Sequence, residues 1–279
     1  MDNVKAGKNA KKKKAAQKKY SVGMAICGII FLCAVAFIVI SFQKRKNAEK
    51  VYEEMRAENQ EVVVEETPVV EEEVPEEEEL PQSDAPHLEN TIDFSALAEQ
   101  NPDIYAWIQI PGTLVDYPVL QSATDNLYYL NHTIDGTSGL PGSIYSESIH
   151  AKDFSDPLTV LYGHNMKNDT MFGSLHDYEN PDKLTESPYV YMYLPEKTLV
   201  YQIFAAVRFS DDYLPEYGDF NEEVIFDSLI SRLRSANGNI NEEVAVPYGS
   251  KVLIMSTCIG NAPSNRFLVG AVQIDAYEK

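Results

Sequence analysis

The chain has 279 residues and a formal net charge of −20, and its charged residues are distributed unevenly. Residues 1–43 carry eight lysines against one acid, residues 44–90 carry sixteen acids against five bases, and the remainder carries 26 acids against ten bases. An acidic main part excludes the concentrated basic face that nucleic-acid binding requires, so no nucleic-acid partner is expected. A short basic tract beside an apolar stretch indicates a membrane surface instead.

The first predicted element is a single membrane-spanning helix at residues 21–42. These 22 residues carry no charge and, at about 1.5 Å per residue, are long enough to cross a hydrocarbon core of about 30 Å. A cleaved signal peptide is the alternative, but its apolar region would be about 7 to 15 residues long. Lysines before the segment outnumber the bases that follow it, so residues 1–20 are predicted to be a cytoplasmic tail and the rest to lie outside the cell.

Residues 43–90 are predicted to form an acidic stalk. Runs of glutamate alternate with valine and proline, and a chain of like charges and prolines is extended and disordered. The early part, residues 48–59, is compatible with a helix. A plain spacer that holds the following domain away from the membrane is the expected role.

Residues 91–279 have the composition of a globular catalytic domain with a mainly β pattern. A short helix is followed by β-rich runs bounded by turn residues, which predicts an antiparallel barrel or sandwich. These runs are residues 105–110, 114–120, 158–162, 189–194, 199–208, 251–257 and 267–274. One amphipathic helix interrupts them near residues 221–236, with Asn221 as a plausible N-cap and Gly238 as a plausible stop.

Cys258 is the one cysteine of the domain, because Cys27 and Cys33 lie within the apolar stretch. It follows a β-rich run and precedes turn-forming residues, so its thiol could face a groove as a nucleophile. A buried structural cysteine is the alternative. A lone cysteine excludes a disulfide framework and a four-cysteine zinc site, and the acidic residues lack calcium-loop spacing. Neither a metal nor a cofactor is expected.

His164 and Arg266 are the candidate partners of that thiol. A nucleophilic cysteine usually works with a histidine, and His164 closes the apolar run LTVLYGH directly after Gly163. Acyl transfer also needs a donor for the developing oxyanion. Arg266 opens the last β-rich run after a predicted loop of seven residues, so it would lie beside Cys258 if the two strands are neighbours. His87 lies in the predicted stalk and is set aside. The remaining histidines are predicted to be solvated or locally bonded; they are His132, His150 and His176.

The order of histidine, cysteine at a strand end and arginine on the next strand resembles that of sortases. LYGHNM, LIMSTC and NRFLVGAV are similar to the three active-site segments of that family, and the resemblance covers residues 91–279. NPDIYAWIQIPGTLVDYPVLQ, YYLNHTIDG, GHNMKNDTMFGSL and the late helix resemble class B in particular. At the cysteine the family usually has the sequence Thr-Leu-any-Thr-Cys, whereas this chain has Ile254-Met255-Ser256-Thr257-Cys258.

The resemblance implies a fold and an activity. The fold would be a closed β-barrel of about eight strands, and the protein a membrane-anchored extracellular cysteine transpeptidase of a Gram-positive cell. Its partners would be surface proteins with a C-terminal sorting signal, of Asn-Pro type in class B, and an amine of a cell-wall precursor. A pilin lysine is the alternative acceptor.

By position, the resemblance also implies the roles of single residues. Cys258 would form a thioacyl enzyme, His164 would transfer protons, and Arg266 would hold the carbonyl oxygen. The implied substrate-binding residues are Asn165, Ser256 and Thr257.

Two other classes of protein remain as alternatives. A papain-like cysteine hydrolase would place its cysteine before its histidine, usually on an opening helix, which is the reverse of the order here. A non-enzymatic surface scaffold or adhesin would need no reactive thiol.

Overall fold

The computed structural model describes residues 2–59, 83–260 and 262–279, and the chain divides into two compact units, Met1–Lys50 and Val51–Lys279. Helix α1 spans Asp2–Asn59, so it extends well beyond residue 42, where the predicted membrane-spanning helix ends. By length and composition, one helix among the described residues, Cys27–Ala57, is apolar enough to cross a membrane. Residues 60–82, the middle part of the predicted stalk, lie outside the described part of the chain.

The second unit is a closed β-barrel. The strands are β1 Ile104–Gln109, β2 Asp116–Leu120, β3 Ile144–Ser146, β4 Leu158–Tyr162, β5 Tyr189–Tyr193, β6 Lys197–Ser210, β7 Asn237–Ile240, β8 Val252–Ile259 and β9 Ala262–Glu278. Around the sheet the strand order is β5-β1-β2-β3-β4-β8-β9-β6, and β5 also pairs with β6, so eight strands close on themselves. Strand β7 pairs with β6 outside the closed ring. The predicted mainly-β barrel of about eight strands is confirmed.

Short helices cover the barrel. The α-helices are α2 Phe94–Gln100, α3 Lys183–Glu186 and α4 Glu223–Ser235, and the 3-10 helices are Tyr128–Leu130, Gly173–Glu179 and Leu214–Tyr217. The predicted helix near residues 221–236 is α4, which buries Phe226, Leu229 and Leu233 in a hydrophobic cluster that it shares with barrel residues.

Both predicted ends of α4 were wrong. The N-cap position is Glu222, while the amide of Asn221 donates to Asp219 instead of capping the helix. Gly238 lies in β7, where a Cβ would come within 2.2 Å of the Ala206 carbonyl oxygen. The glycine is therefore required for the close approach of two strands, and the helix ends earlier.

The arrangement of three strands positions the functional site. β4 and β8 are parallel neighbours, and β9 runs antiparallel to β8. Strands buried on both faces read as continuous apolar runs, as β4 and β8 do. Because parallel strands end at the same edge of a sheet, the residues that follow β4 and close β8 meet there, where β9 begins.

Candidate active site

The edge formed by β4 and β8 brings His164 next to Cys258. Tyr162 pairs with Ser256, so His164 follows the end of β4 while Cys258 is the last residue but one of β8. Gly163 links the strands, because its N–H donates to the Ser256 carbonyl oxygen at 3.2 Å. A Cβ on Gly163 would lie 2.5 Å from Ile144, so Gly163 permits a close approach to β3 directly before His164.

Arg266 is the direct cross-strand partner of Cys258. The connection between them is tighter than the predicted seven-residue loop, since β8 continues to Ile259 and β9 already begins at Ala262. On its other side Arg266 pairs with Phe209 of β6. The proximity of Arg266 and Cys258 therefore follows from strand register, as expected from neighbouring strands.

One groove of about 410 Å³ collects all three side chains. Its walls are formed by Leu127, Leu130, Tyr145, Glu147, Val160, Tyr162, Gly163, His164, Ser210, Asp211, Asp212, Tyr213, Leu214, Ser256, Thr257, Cys258, Arg266 and Leu268. Cys258 is exposed, whereas His164 and Arg266 are partly buried. An accessible thiol flanked by an imidazole and a guanidinium suits nucleophilic attack on a carbonyl.

The imidazole of His164 is oriented by a backbone carbonyl. Its Nε2 lies 2.6 Å from the carbonyl oxygen of Leu130, at the end of the 3-10 helix Tyr128–Leu130. A carbonyl oxygen only accepts, so Nε2 carries a proton and Nδ1 is the ring nitrogen left to exchange one. The position of Leu130 thus fixes how the ring of His164 presents itself to the groove.

The backbone of Cys258 is held by two side chains of the segment after His164. Asn165 Nδ2 donates to the Cys258 carbonyl oxygen at 2.9 Å, and His176 Nε2 lies 3.1 Å from the same oxygen. His176 Nδ1 is 3.0 Å from a carboxylate oxygen of Glu179, and its ring stacks on Phe267. His176 was expected to be locally bonded, and no sequence spacing indicated that the carbonyl it meets belongs to Cys258.

The three predicted substrate-binding residues differ in their surroundings. Ser256 and Thr257 line the groove, and Asn165 is not among the lining residues. Thr257 is 2% exposed and its hydroxyl donates to the Gly163 carbonyl oxygen at 2.8 Å. The polar groups of Thr257 and Asn165 therefore tie the strand ends together, and substrate contact by Ser256 stays a prediction.

Tyrosines and acids make up much of the remaining polar wall. Burial raises the pKa of Tyr145 and of Tyr162 well above the ordinary value, so both are neutral phenols at physiological pH. Tyr213 donates a short hydrogen bond to Glu147, and burial together with that carboxylate raises the pKa of Tyr213. Among the described lining residues Arg266 is the one lysine or arginine.

No group of three histidine, cysteine or acidic side chains that could hold a metal ion occurs among the described residues.

Comparison with known proteins agrees with this geometry. The model of the sortase domain family matches residues 108–274, which contain all three side chains. The chain belongs to the sortase family. Sortase B of Listeria monocytogenes is 30% identical to this sortase over 162 residues, which are 58% of this chain and 65% of that protein. This sortase therefore matches a little less than two thirds of the length of that relative.

Solved structures of class B sortases resemble this chain. Sortase B of Clostridium perfringens has a TM-score of 0.60 and 28% identity, over 66% of this chain and 100% of that one. The complex of Staphylococcus aureus sortase B with substrate has a TM-score of 0.59 and 27% identity, over 65% of this chain and 84% of that one. Together with the Listeria relative, these structures place this sortase with class B.

Proposed function

We propose that this sortase is a membrane-anchored class B transpeptidase that cleaves a sorting signal and transfers the acyl fragment to an amine. The observation that carries the proposal is the convergence of Cys258, His164 and Arg266 on one open groove. Cys258 and Arg266 lie on paired strands, and His164 follows the end of β4, which is the parallel neighbour of β8.

The first half of the reaction forms a thioacyl enzyme. The Cys258 thiolate attacks the scissile peptide carbonyl, and the Arg266 guanidinium donates hydrogen bonds to the oxyanion. His164 gives a proton to the leaving amine as the C–N bond breaks, and the acyl group stays on sulfur. The groove wall of leucine and tyrosine side chains would hold the sorting peptide, in keeping with the substrate complex of the Staphylococcus aureus relative.

The second half transfers the acyl group. An acceptor amine attacks the thioester, His164 takes the proton that this amine loses, and the C–S bond breaks to release the Cys258 thiolate. Proton transfer of this kind contributes about 10²- to 10⁴-fold to the rate, and one oxyanion donor about 10²- to 10³-fold. We propose a cell-wall precursor as the source of the amine, with a pilin lysine as the alternative.

The location of the enzyme is part of the proposal. The apolar helix within Cys27–Ala57 and the excess of lysine before it support a single-pass anchor with a cytoplasmic N-terminus. The catalytic domain would then lie outside the cell, where secreted surface proteins arrive.

The test uses the full chain in detergent micelles with a library of sorting-signal peptides. Mass spectrometry is expected to find an acyl group on Cys258, and a joined product is expected only when an amine is supplied. Cys258→Ala should abolish both, so full turnover by this variant would refute the assignment. Cleavage at the same rate with and without amine would indicate a hydrolase. A Cys258 thiol that resists a methanethiosulfonate reagent in the native protein but not in denaturant would favour a scaffold.

A further inference from the structure

The last turns of α1 belong to the second unit, Val51–Lys279, hereafter the catalytic unit, and pack onto its barrel. Tyr52 and Met55 are only 2% and 4% exposed, and they belong to the hydrophobic core of the barrel. Glu53 and Glu54, which point away from that face, are exposed. A helix with buried residues at a spacing of three or four and acids elsewhere presents one apolar face to a partner. Residues 51–56 are therefore a docked element of the catalytic unit, hereafter the docked helix end.

The hydroxyl of Tyr52 contacts the loop that supports His164. It donates to the Gly142 carbonyl oxygen at 2.8 Å and shares a hydrogen bond of 3.0 Å with the Ser143 hydroxyl. Gly142 has a φ of +68°, and a Cβ there would lie 2.6 Å from the Leu130 carbonyl oxygen and 3.2 Å from His164. Leu130 is the carbonyl that orients the imidazole. Gly142 thus fills the narrow space between Tyr52 and the catalytic ring.

The ring of Tyr52 reaches His164 by a second route. It packs edge-on against Tyr117 with 5.6 Å between ring centroids, and the Arg56 guanidinium lies 5.1 Å from the same Tyr117 ring. The Tyr117 hydroxyl accepts a hydrogen bond of 3.0 Å from the Met171 N–H. Met171 pairs with Asn165, the residue directly after His164. The docked helix end therefore contacts Gly142 and Ser143 directly, and through Tyr117 it is linked to the segment 165–171 that follows His164.

We propose that the docked helix end is a positioning element of the active site, with Tyr52 as its positioning residue for His164. Tyr52 lies outside the groove lining, so it acts through Gly142 and Leu130 rather than on substrate. The inference rests on the proposed transpeptidase activity. It means that the chain next to the membrane segment contributes to catalysis as well as to anchoring.

The docked helix end also changes the expected role of the acidic segment. Ala85 is buried in the core of the catalytic unit, the Tyr191 hydroxyl donates to the Pro86 carbonyl oxygen at 2.7 Å, and Leu88 bonds to Tyr277. Residues 60–82 therefore start and end on the same unit. The link between the apolar segment and that unit is residues 43–50, whereas a spacer over residues 43–90 had been expected.

The test compares Tyr52→Phe with Tyr248→Phe in the full chain in micelles. Tyr248 is the matched control, because it also donates to a backbone carbonyl, that of Asn221, and like Tyr52 it lies outside the groove lining. We expect Tyr52→Phe to lower kcat by about tenfold with little change in KM, because a misplacement of about 1 Å can cost about 10²-fold. Tyr248→Phe should keep the wild-type kcat.

A second measurement needs no substrate. Hydrogen exchange in Tyr52→Ala should accelerate about tenfold at the amides of Ser143, Met171 and Phe172, which bond around His164, while the amides shared by β6 and β9 keep their rates. Equal kcat and KM for the two phenylalanine variants, or unchanged exchange at these amides, would overturn the inference. A wild-type chain that transfers no acyl group would instead overturn the proposed function, and the exchange result would stand apart from it.

Discussion

The planar guanidinium of Arg266 is expected to matter for its shape as well as for its positive charge. Arg266→Lys keeps a cation but loses the planar fork that donates two directed hydrogen bonds. We expect kcat/KM to fall by about 10²-fold, close to the effect of losing an oxyanion donor. Arg234→Lys is the matched control, because Arg234 lies on α4, bonds Glu242 and the Val244 carbonyl oxygen, and does not line the groove. Wild-type kinetics of Arg266→Lys would mean that a point charge suffices.

His176 offers a second test at the residue scale, directed at the thiol. His176→Ala removes a contact to the Cys258 carbonyl oxygen and the stacking on Phe267, so the backbone of the nucleophile is less firmly held. We expect the rate of Cys258 alkylation by iodoacetamide and kcat to fall together by about tenfold. His176→Gln, whose amide can donate to the same oxygen, should recover part of both.

An unchanged alkylation rate in His176→Ala would contradict this expectation. The melting temperature of each variant shows whether a loss of activity merely follows from a loss of folding.

The two residues that hold Cys258 illustrate the limit of sequence reasoning at this scale. His164, Cys258 and Arg266 could be named from the sequence because each stands at an end of a β-rich run and because the three segments around them resemble those of sortases. Asn165 and His176 meet the Cys258 carbonyl only because the segment after His164 folds back, with Asn165 pairing with Met171. Neither hydrophobic period nor spacing encodes such a turn.

At the scale of elements, the strands with long apolar runs were predictable and the short ones were not. The predicted bounds of β4 agree with the structure, since Leu158–Tyr162 is a continuous apolar run between turn residues. β3 has three residues and β7 reads Asn-Gly-Asn-Ile, so their pairing depends on neighbouring strands rather than on propensity. The parallel pairing of β4 with β8 was also missed, because sequence patterns do not specify which strands become neighbours.

His150, which bonds to β4, is expected to make the stability of the fold depend on pH. His150 is buried, its Nε2 accepts from the Val160 N–H at 3.4 Å, and its Nδ1 lies 3.8 Å from Asp156. Burial lowers the pKa of His150 more than Asp156 raises it. A histidine whose folded pKa lies below its unfolded value of about 6.5 stabilises the fold above that pH and loses this contribution as pH falls.

We therefore expect the free energy of unfolding to decrease between pH 7 and pH 5 more steeply in the wild type than in His150→Gln. Urea titrations at the two pH values measure the difference. His87→Gln alters an exposed histidine and should keep the wild-type slope. Parallel pH dependence in wild type and His150→Gln would show that His150 does not contribute to acid sensitivity.

At the scale of the whole molecule, two ways of connecting the catalytic unit to its anchor make different demands on chain length. If residues 60–82 were a tether, their length would set how far the groove reaches. If both ends of this segment lie on the catalytic unit, as the packing of Tyr52 and Ala85 on that unit indicates, its length matters little. Adding about 15 residues between two fixed ends costs only about 0.4 kcal/mol of closure entropy. The link at residues 43–50 then controls reach instead.

The decisive comparison places the same Gly/Ser insertion of about 15 residues either between Val70 and Glu71 or between Lys46 and Asn47, in full chains reconstituted in liposomes. The substrate is a sorting-signal peptide fused to its own membrane helix, and a soluble peptide serves as control. We expect the first insertion to leave turnover of both substrates unchanged. The second should lower turnover of the membrane substrate by about fivefold, because effective concentration falls with linker length to roughly the −3/2 power. Equal losses from the two insertions would mean that the acidic segment is the tether, since only a segment lying between anchor and groove can change reach when it is lengthened.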